Sequence, residues 1–202
     1  VIIRSHGEAR GVLERLQEKN AQIINSTCPK VLRIQKLVQD AEKEGRIPLI
    51  IGEIQHPEVL GVAGWCRNPL IFQGPESLKN WLKADPGHAS LPLSVVSQTT
   101  CTQKLFEICT EILKKECTNL KIFDTICDAT YKRQSEAAEI AAKVDAIIVV
   151  GDRQSANTRH LTEICSGICP AVFQIERADE LPLEDLKRYD TVGLTAGAST
   201  PA

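Results

Sequence analysis

Cys28, in Asn25-Ser26-Thr27-Cys28-Pro29-Lys30-Val31, and Cys127, in Asp124-Thr125-Ile126-Cys127-Asp128-Ala129-Thr130, occupy matching settings. Each follows an apolar run with strand character and precedes a run with helical periodicity. A thiol at such a corner sits where helix N-terminal N–H groups can receive an anion or support a metal ligand. Another corner, Ile51-Gly52-Glu53-Ile54-Gln55-His56-Pro57-Glu58-Val59, places a histidine beside a carboxylate. Pro57 is expected to hold the backbone extended and to turn the His56 and Glu58 side chains toward one side. Such a pair can hold a hydroxyl group and move a proton. His6, in Ile3-Arg4-Ser5-His6-Gly7, is a candidate anion contact, whereas His88 reads as a solvated loop residue and His160 as a surface helical one.

The elements that must position these residues alternate. Strand-like runs at 1–3, 21–25, 47–52, 93–97, 120–126, 146–151, 171–175 and 191–195 are interleaved with helical runs at 29–44, 58–64, 102–117, 131–143, 156–166 and 182–188. Continuous apolar strands separated by helices predict an α/β protein whose parallel sheets are covered on both faces. Its strand-to-helix corners share small hydroxyl, amide and thiol residues: Ser26-Thr27-Cys28, Gln98-Thr99-Thr100-Cys101, Asp152 to Asn157, and Gly197 to Thr200. Ser, Thr, Asn and Asp are good helix caps in any protein. Counting Asp124 to Thr130 as well, they recur at five corners, three of them with cysteine (Cys28, Cys101 and Cys127), which suggests similar α/β units around a shared anion-receiving centre.

Composition sets the outer limits. The 202 residues are 43% hydrophobic, with 24 basic and 26 acidic side chains, a formal charge of −2, two Trp, two Tyr and four Phe. A chain of this kind can bury sizeable cores. It lacks the basic stripe and stacking aromatics of a nucleic-acid binder. No apolar run approaches the roughly 20 residues needed to span a bilayer, and no secretory signal pattern is present, so a cytoplasmic or organellar-matrix location is expected. Eight cysteines in such a chain favour metal or redox chemistry over disulfides. There is no Cys-x-x-Cys pair; Cys109, Cys117, Cys165 and Cys169 read as packing residues. The opening Val1-Ile2-Ile3, the lack of any Met, and the ending after Thr195-Ala196-Gly197 predict a segment of a longer protein, already inside a domain at its first strand.

Ser5-His6-Gly7, Thr27-Cys28-Pro29, His56 to Gly61, Gln98-Thr99-Thr100, Asp124 to Gln134, Val149 to Asn157 and Thr195 to Ser199 together resemble the LytB family, that of 4-hydroxy-3-methylbut-2-enyl diphosphate reductase. The resemblance runs through essentially the whole chain, in the family's order. It implies a three-lobed assembly of similar α/β domains around a central site, here divided as 1–27, 28–124 and 125–202. It implies reductive dehydroxylation of 4-hydroxy-3-methylbut-2-enyl diphosphate to isopentenyl and dimethylallyl diphosphates in the methylerythritol phosphate route to isoprenoids. The family's cofactor is a [4Fe-4S] cluster held by three cysteines, of which Cys28 and Cys127 match two. The family pattern places His56, Glu58 and Thr99 at the substrate's hydroxymethyl end, with Glu58 as proton source. It places His6, Ser155, Asn157 and Ser199 on the diphosphate, with Thr100 close by. A ferredoxin or flavodoxin would supply electrons, with no nucleic acid or membrane partner. The location implied is the cytoplasm, or the plastid stroma in a plastid-bearing organism.

The departures matter as much. The family's first cluster cysteine, in a Gly-Phe-Cys-x-Gly-Val setting, a further diphosphate-binding histidine and the terminal helix have no counterpart in these residues. Cys101 follows the substrate-facing threonines, but the family requires no thiol there. Ala156 stands where many members carry a second serine. A rival reading is a non-catalytic diphosphate-binding or structural module, since two thiolates hold a four-iron cluster poorly. A zinc site built from Cys28, Cys127 and a histidine is a weaker one.

Overall fold

The computed structural model describes every residue except 199, 201 and 202. It comprises two compact units, Val1–Ile126 and a second beginning at Cys127. In the first, strand β1 (Ile2–Ile3), helix α1 (Arg10–Glu18) and strand β2 (Ile24–Asn25) form a small parallel β-α-β element. Helix α2 (Pro29–Lys43), strand β3 (Ile47–Ile51), helix α3 (Pro57–Ala63), strand β4 (Leu70–Phe72), helix α4 (Pro75–Ala84), strand β5 (Leu93–Ser97), helix α5 (Gln103–Glu116) and strand β6 (Leu120–Ile122) follow. The last four strands form one parallel sheet in the order β4-β3-β5-β6.

The two central strands, β3 and β5, are mostly apolar because both faces are covered, with Ser94 and Ser97 as buried polar positions. Leu49, Ile51, Leu93 and Val95 pack on one side with Leu78 of α4 and Phe106, Cys109 and Leu113 of α5. Ile50 and Val96 face the other side, against Val31, Ile34 and Val38 of α2 and Val59 and Val62 of α3. Each such aliphatic side chain contributes roughly 1.5–3 kcal/mol on burial. The two clusters thus lock the helices so that their N-termini lie along the carboxyl edge of the sheet.

In the second unit, helix α6 (Asp128–Ala141), strand β7 (Ala146–Val150), helix α7 (Ala156–Ser166), strand β8 (Ala171–Ile175), helix α8 (Leu183–Leu186) and strand β9 (Val192–Ala196) form a parallel sheet in the order β8-β7-β9. Ala137 and Ala141 of α6 and Leu161 and Cys165 of α7 pack with Ile147 and Val149 of β7. Both helices run opposite to β7, so their N-termini share one edge of the unit. Among the described residues no helix is long and apolar enough to cross a membrane.

The expected α/β class, with parallel sheets flanked by helices, is what the chain adopts, but residues 65–90 hold more structure than their sequence suggests. β4 has only three residues and lies at the sheet edge, so it carries little periodic signal. α4 announces itself by Pro75 at its first turn and Glu76 behind it. His88, expected in solvent, stacks on Trp81 with ring centroids 4.2 Å apart and an interplanar angle of 8°, and its Nδ1 lies 2.8 Å from the Trp81 carbonyl oxygen. The aromatic face offered by α4 is what draws it in. α6 begins at Asp128 rather than 131, directly after Cys127.

The Ser5-His6-Gly7 corner is held by close approach. Gly7 has φ of +73°, and a Cβ there would come within 2.6 Å of Gln35 Nε2, so the corner needs glycine. A Cβ on Gly64 would overlap Ala9, and the Gly64 carbonyl accepts from Arg10 N–H at 3.3 Å. Trp65 Nε1–H donates to the Glu8 carbonyl at 2.9 Å, closing the same junction. Gly64→Ala is therefore expected to destabilise by about 1–3 kcal/mol through overpacking. A lower denaturant midpoint at unchanged slope is the expected reading.

Candidate active site

In the order β4-β3-β5-β6 the chain winds outward from β3 to β4, then returns across β3 to β5. Winding reverses between β3 and β5, and the crevice outside the carboxyl ends of such strands is where open α/β sheets bind ligands. The loop after β3 ends at His56 and leads into α3, which carries Glu58; the loop after β5 carries Gln98, Thr99 and Thr100.

Glu58 lies in the first turn of α3 and is 3% exposed. Thr99 clamps it with two donors, its backbone N–H to Oε1 and its hydroxyl to Oε2, each at 2.6 Å. Burial pushes the Glu58 carboxyl above its ordinary pKa, and the two Thr99 hydrogen bonds hold it back. The result is a buried carboxyl poised to exchange a proton at a fixed place.

His56 caps α3. Its Nδ1 accepts the Glu58 backbone N–H at 3.2 Å, so Nδ1 carries a lone pair and the neutral ring keeps its proton on Nε2. Pro57 holds the residue before it extended, His56 lying at φ −70° and ψ 134°, while Pro57 itself is the first helical residue, where its missing N–H costs nothing. His6 meets His56 edge-on, with ring centroids 5.5 Å apart. The His6 Nδ1 is buried with no hydrogen-bond partner. Burial, and then the charge of Arg4, lower its pKa and favour the neutral ring.

Cys28 belongs to the same unit and caps α2 without a side-chain cap hydrogen bond. Its backbone N–H donates to the Ser5 carbonyl at 3.0 Å, tying this corner to the one that carries His6. His6, His56, Glu58 and Thr99 are thus linked by contact within the first unit, with Cys28 joined through Ser5.

In the second unit the sheet order β8-β7-β9 reverses between β7 and β9. Ser155 caps α7, its Oγ accepting the Thr158 N–H at 3.4 Å. Asn157, 4% exposed, has neither its amide oxygen nor its amide nitrogen hydrogen-bonded. Of the cations at this corner, Arg153 is engaged by Glu176 at 3.4 Å and Glu180 at 2.5 Å, and Arg159 donates to the Gln154 carbonyl at 2.8 Å. An anion here would therefore meet hydroxyl, amide and backbone donors. Cys127 caps the neighbouring α6, also without a side-chain cap bond. Ser199 lies outside the described residues.

A device missed in the sequence repeats at three of these corners. Asn25 Oδ1 accepts the Thr27 N–H at 3.1 Å, Asp124 Oδ1 the Ile126 N–H at 3.1 Å, and Asp152 Oδ1 the Gln154 N–H at 2.7 Å. In each the chain leaves its strand, makes an Asx turn and delivers the next cap residue: Cys28, Cys127 or Ser155. The spacing Asx-x-x-cap was visible in the sequence. Thr125 adds a lock, donating to the Ser97 carbonyl and accepting the Ser97 N–H, both at 2.8 Å.

The other thiols are structural. Burial pushes Cys66 and Cys101 up to about 12 and Cys109 and Cys165 up to about 11, and Cys117 upward too. Cys165 and Cys169 donate to backbone carbonyls. Among the described residues, no group of three or more His, Cys, Asp or Glu side chains is arranged to hold a metal ion.

Parallel, helix-covered sheets with polar corners at their switch points, one holding a buried carboxyl, define an α/β enzyme. The LytB protein family model matches residues 1–202, and the chain belongs to the LytB family. It is 42% identical over its whole length to the 4-hydroxy-3-methylbut-2-enyl diphosphate reductase of Caldanaerobacter subterraneus subsp. tengcongensis, spanning 68% of that protein. It is 40% identical to that of Alkaliphilus oremlandii, spanning 71%. A solved (E)-4-hydroxy-3-methyl-but-2-enyl diphosphate reductase, the terminal enzyme of the non-mevalonate pathway, superposes over 100% of this chain and 71% of its own, with TM-score 0.64 and 34% identity. The E-1-hydroxy-2-methyl-but-2-enyl-4-diphosphate reductase of Plasmodium falciparum superposes over 99% of this chain and 63% of its own, with TM-score 0.90 and 26% identity.

Proposed function

We propose that the protein reduces 4-hydroxy-3-methylbut-2-enyl diphosphate, replacing the allylic hydroxyl with hydrogen to give isopentenyl and dimethylallyl diphosphates. The reaction takes up two electrons and two protons and releases water. The observation that carries this reading is the Glu58–Thr99 clamp: a buried carboxyl with a raised pKa at a switch-point crevice, in a chain whose named relatives are reductases of this substrate.

Hydroxide is a poor leaving group, so the departing oxygen needs a positioned acid, the role we give Glu58. Once Glu58 is protonated on Oε2, the bond to Thr99 reverses and the Thr99 hydroxyl turns its own proton onward, so Thr99 orients and relays. His56 contributes its Nε2–H as a donor to the hydroxyl end. His6, Ser155, Asn157, Thr100 and Ser199 are assigned to the diphosphate. This set meets an anion with neutral donors, consistent with the engaged Arg153 and the chain's formal charge of −2.

Cys28 and Cys127 would hold an iron–sulfur cluster. Both are half-buried cap residues at helix N-termini whose thiols make no cap hydrogen bond. Two thiolates are a partial donor set, and the family pattern calls for a third. Such a cluster supplies electrons and Lewis acidity for carbon–oxygen cleavage when bound. A small low-potential carrier, a ferredoxin or flavodoxin, is the partner this chemistry needs.

Asn157 offers a test that separates function from folding. Its unsatisfied amide costs about 1–3 kcal/mol in the ligand-free protein. Asn157→Leu is therefore expected to raise the melting temperature while raising the KM for the allylic diphosphate about tenfold or more. An unchanged KM would remove Asn157 from the diphosphate site.

A further inference from the structure

Gln98 is 2% exposed and its side chain bridges the β3 and β5 corners. Its Oε1 accepts the Glu53 N–H at 3.0 Å, and its Nε2 meets Thr100 Oγ1 at 2.8 Å. The amide has one possible orientation: the Glu53 N–H can only donate, so oxygen faces it and nitrogen faces Thr100. Thr100 therefore accepts from Gln98 and must carry its own proton away from it. Gly52 makes room for the bridge, since a Cβ there would lie 2.9 Å from Gln98 Cβ. The Glu53 carbonyl in turn accepts the His56 N–H at 3.0 Å, so the segment anchored by Gln98 leads straight into the cap of α3.

We propose that Gln98 is a positioning residue that, held by the Glu53 N–H, donates to Thr100 and thereby presents the Thr100 hydroxyl as a hydrogen-bond donor to the diphosphate. Phosphate oxygens only accept hydrogen bonds, so a hydroxyl serves them only when its proton faces them. A threonine hydroxyl can offer either its proton or its lone pairs. Gln98 removes that choice. The inference rests on the functional reading above, in which Thr100 lies by the diphosphate.

Gln98→Glu tests it at a pH high enough to ionise the buried carboxyl, because the carboxylate still accepts the Glu53 N–H but also takes the Thr100 proton, inverting that one bond, whereas the protonated form at lower pH donates to Thr100 as glutamine does. Two quantities are read: the KM for the allylic diphosphate and the inhibition constant of inorganic pyrophosphate. Both are expected to rise together by about tenfold or more, with kcat within about threefold of wild type. Amide hydrogen exchange at Glu53 should stay protected in Gln98→Glu and lose protection in Gln98→Leu. Thr100→Val should raise the same two constants comparably, and Gln98→Glu should add nothing in that background. Wild-type constants in Gln98→Glu would overturn the proposal. So would an effect that persists with Thr100→Val, which would mark simple charge repulsion, or loss of Glu53 protection in Gln98→Glu, which would mark a structural role. If the wild-type protein turns over no allylic diphosphate, the functional reading fails separately, and calorimetric pyrophosphate binding by the same variants still decides the role of Gln98.

Discussion

Glu58→Gln is expected to lower kcat by about 100- to 1,000-fold while leaving KM within about threefold, the signature of losing a general acid. Glutamine nearly matches glutamate in shape, and its oxygen can still accept the Thr99 N–H. Its nitrogen, however, must donate to the Thr99 hydroxyl, so no transferable proton remains. The wild-type rate should fall as pH rises through the raised Glu58 pKa, because only the protonated carboxyl can deliver a proton. Stability is linked to the same group. With the folded-state value above the unfolded one, the contribution of Glu58 is fully present below the unfolded value and is lost as pH rises through the folded value. Glu58→Gln should therefore flatten the decline in denaturant midpoint over that window, alongside the loss of turnover. Retained activity would remove Glu58 as the proton source, and a collapse in stability at all pH values would make its role structural.

Cys127→Ser is expected to abolish most of the iron and sulfide retained after anaerobic reconstitution, together with the visible absorption band, and with them turnover. The same change should leave the second unit at least as stable as before. Cys127 sits at the cap of α6 without making a cap hydrogen bond, and serine is among the best cap residues, worth about 0.5–2 kcal/mol over a non-capping one. The opposite signs are the informative part. A cysteine kept for packing would lose stability on this change and leave metal content untouched. Unaltered iron and sulfide would take Cys127 off the ligand list.

How legible the molecule was depended on which forces set each part. The runs at 47–52, 93–97 and 146–151 disclose the parallel sheets because strands buried on two faces are apolar over most of their length, small serines at 94 and 97 being the buried polar positions in the second run. Helix α7 matches its predicted range, 156–166, since Ser155 caps it and the apolar spacing is regular. β4 was hidden by being a short edge strand, and α4 by following it so closely. Cys28 and Cys127 stand out by their corners, whereas the Asx turns that shape those corners leave only Asn25, Asp124 and Asp152 as a sign, residues common in loops of every kind. The Glu58–Thr99 clamp joins residues 41 apart in the chain. No spacing rule discloses such a contact; a resemblance can suggest the two residues, and only the fold supplies the bond. Gln98 stands out in the sequence only as part of a polar corner and of the family pattern; its own role comes from its partners, Glu53 and Thr100, because a buried amide becomes meaningful through what it bonds.

Anaerobic turnover with product analysis is the most direct test of the central claim, that the Glu58 crevice serves reductive dehydroxylation. The reconstituted protein is given 4-hydroxy-3-methylbut-2-enyl diphosphate and a low-potential one-electron donor. The expected result is consumption of the substrate with formation of isopentenyl and dimethylallyl diphosphates, slowed about 100- to 1,000-fold in Glu58→Gln at unchanged iron content. Substrate bound but recovered unreacted by protein that holds a complete cluster would contradict it, and would favour a diphosphate-binding module instead.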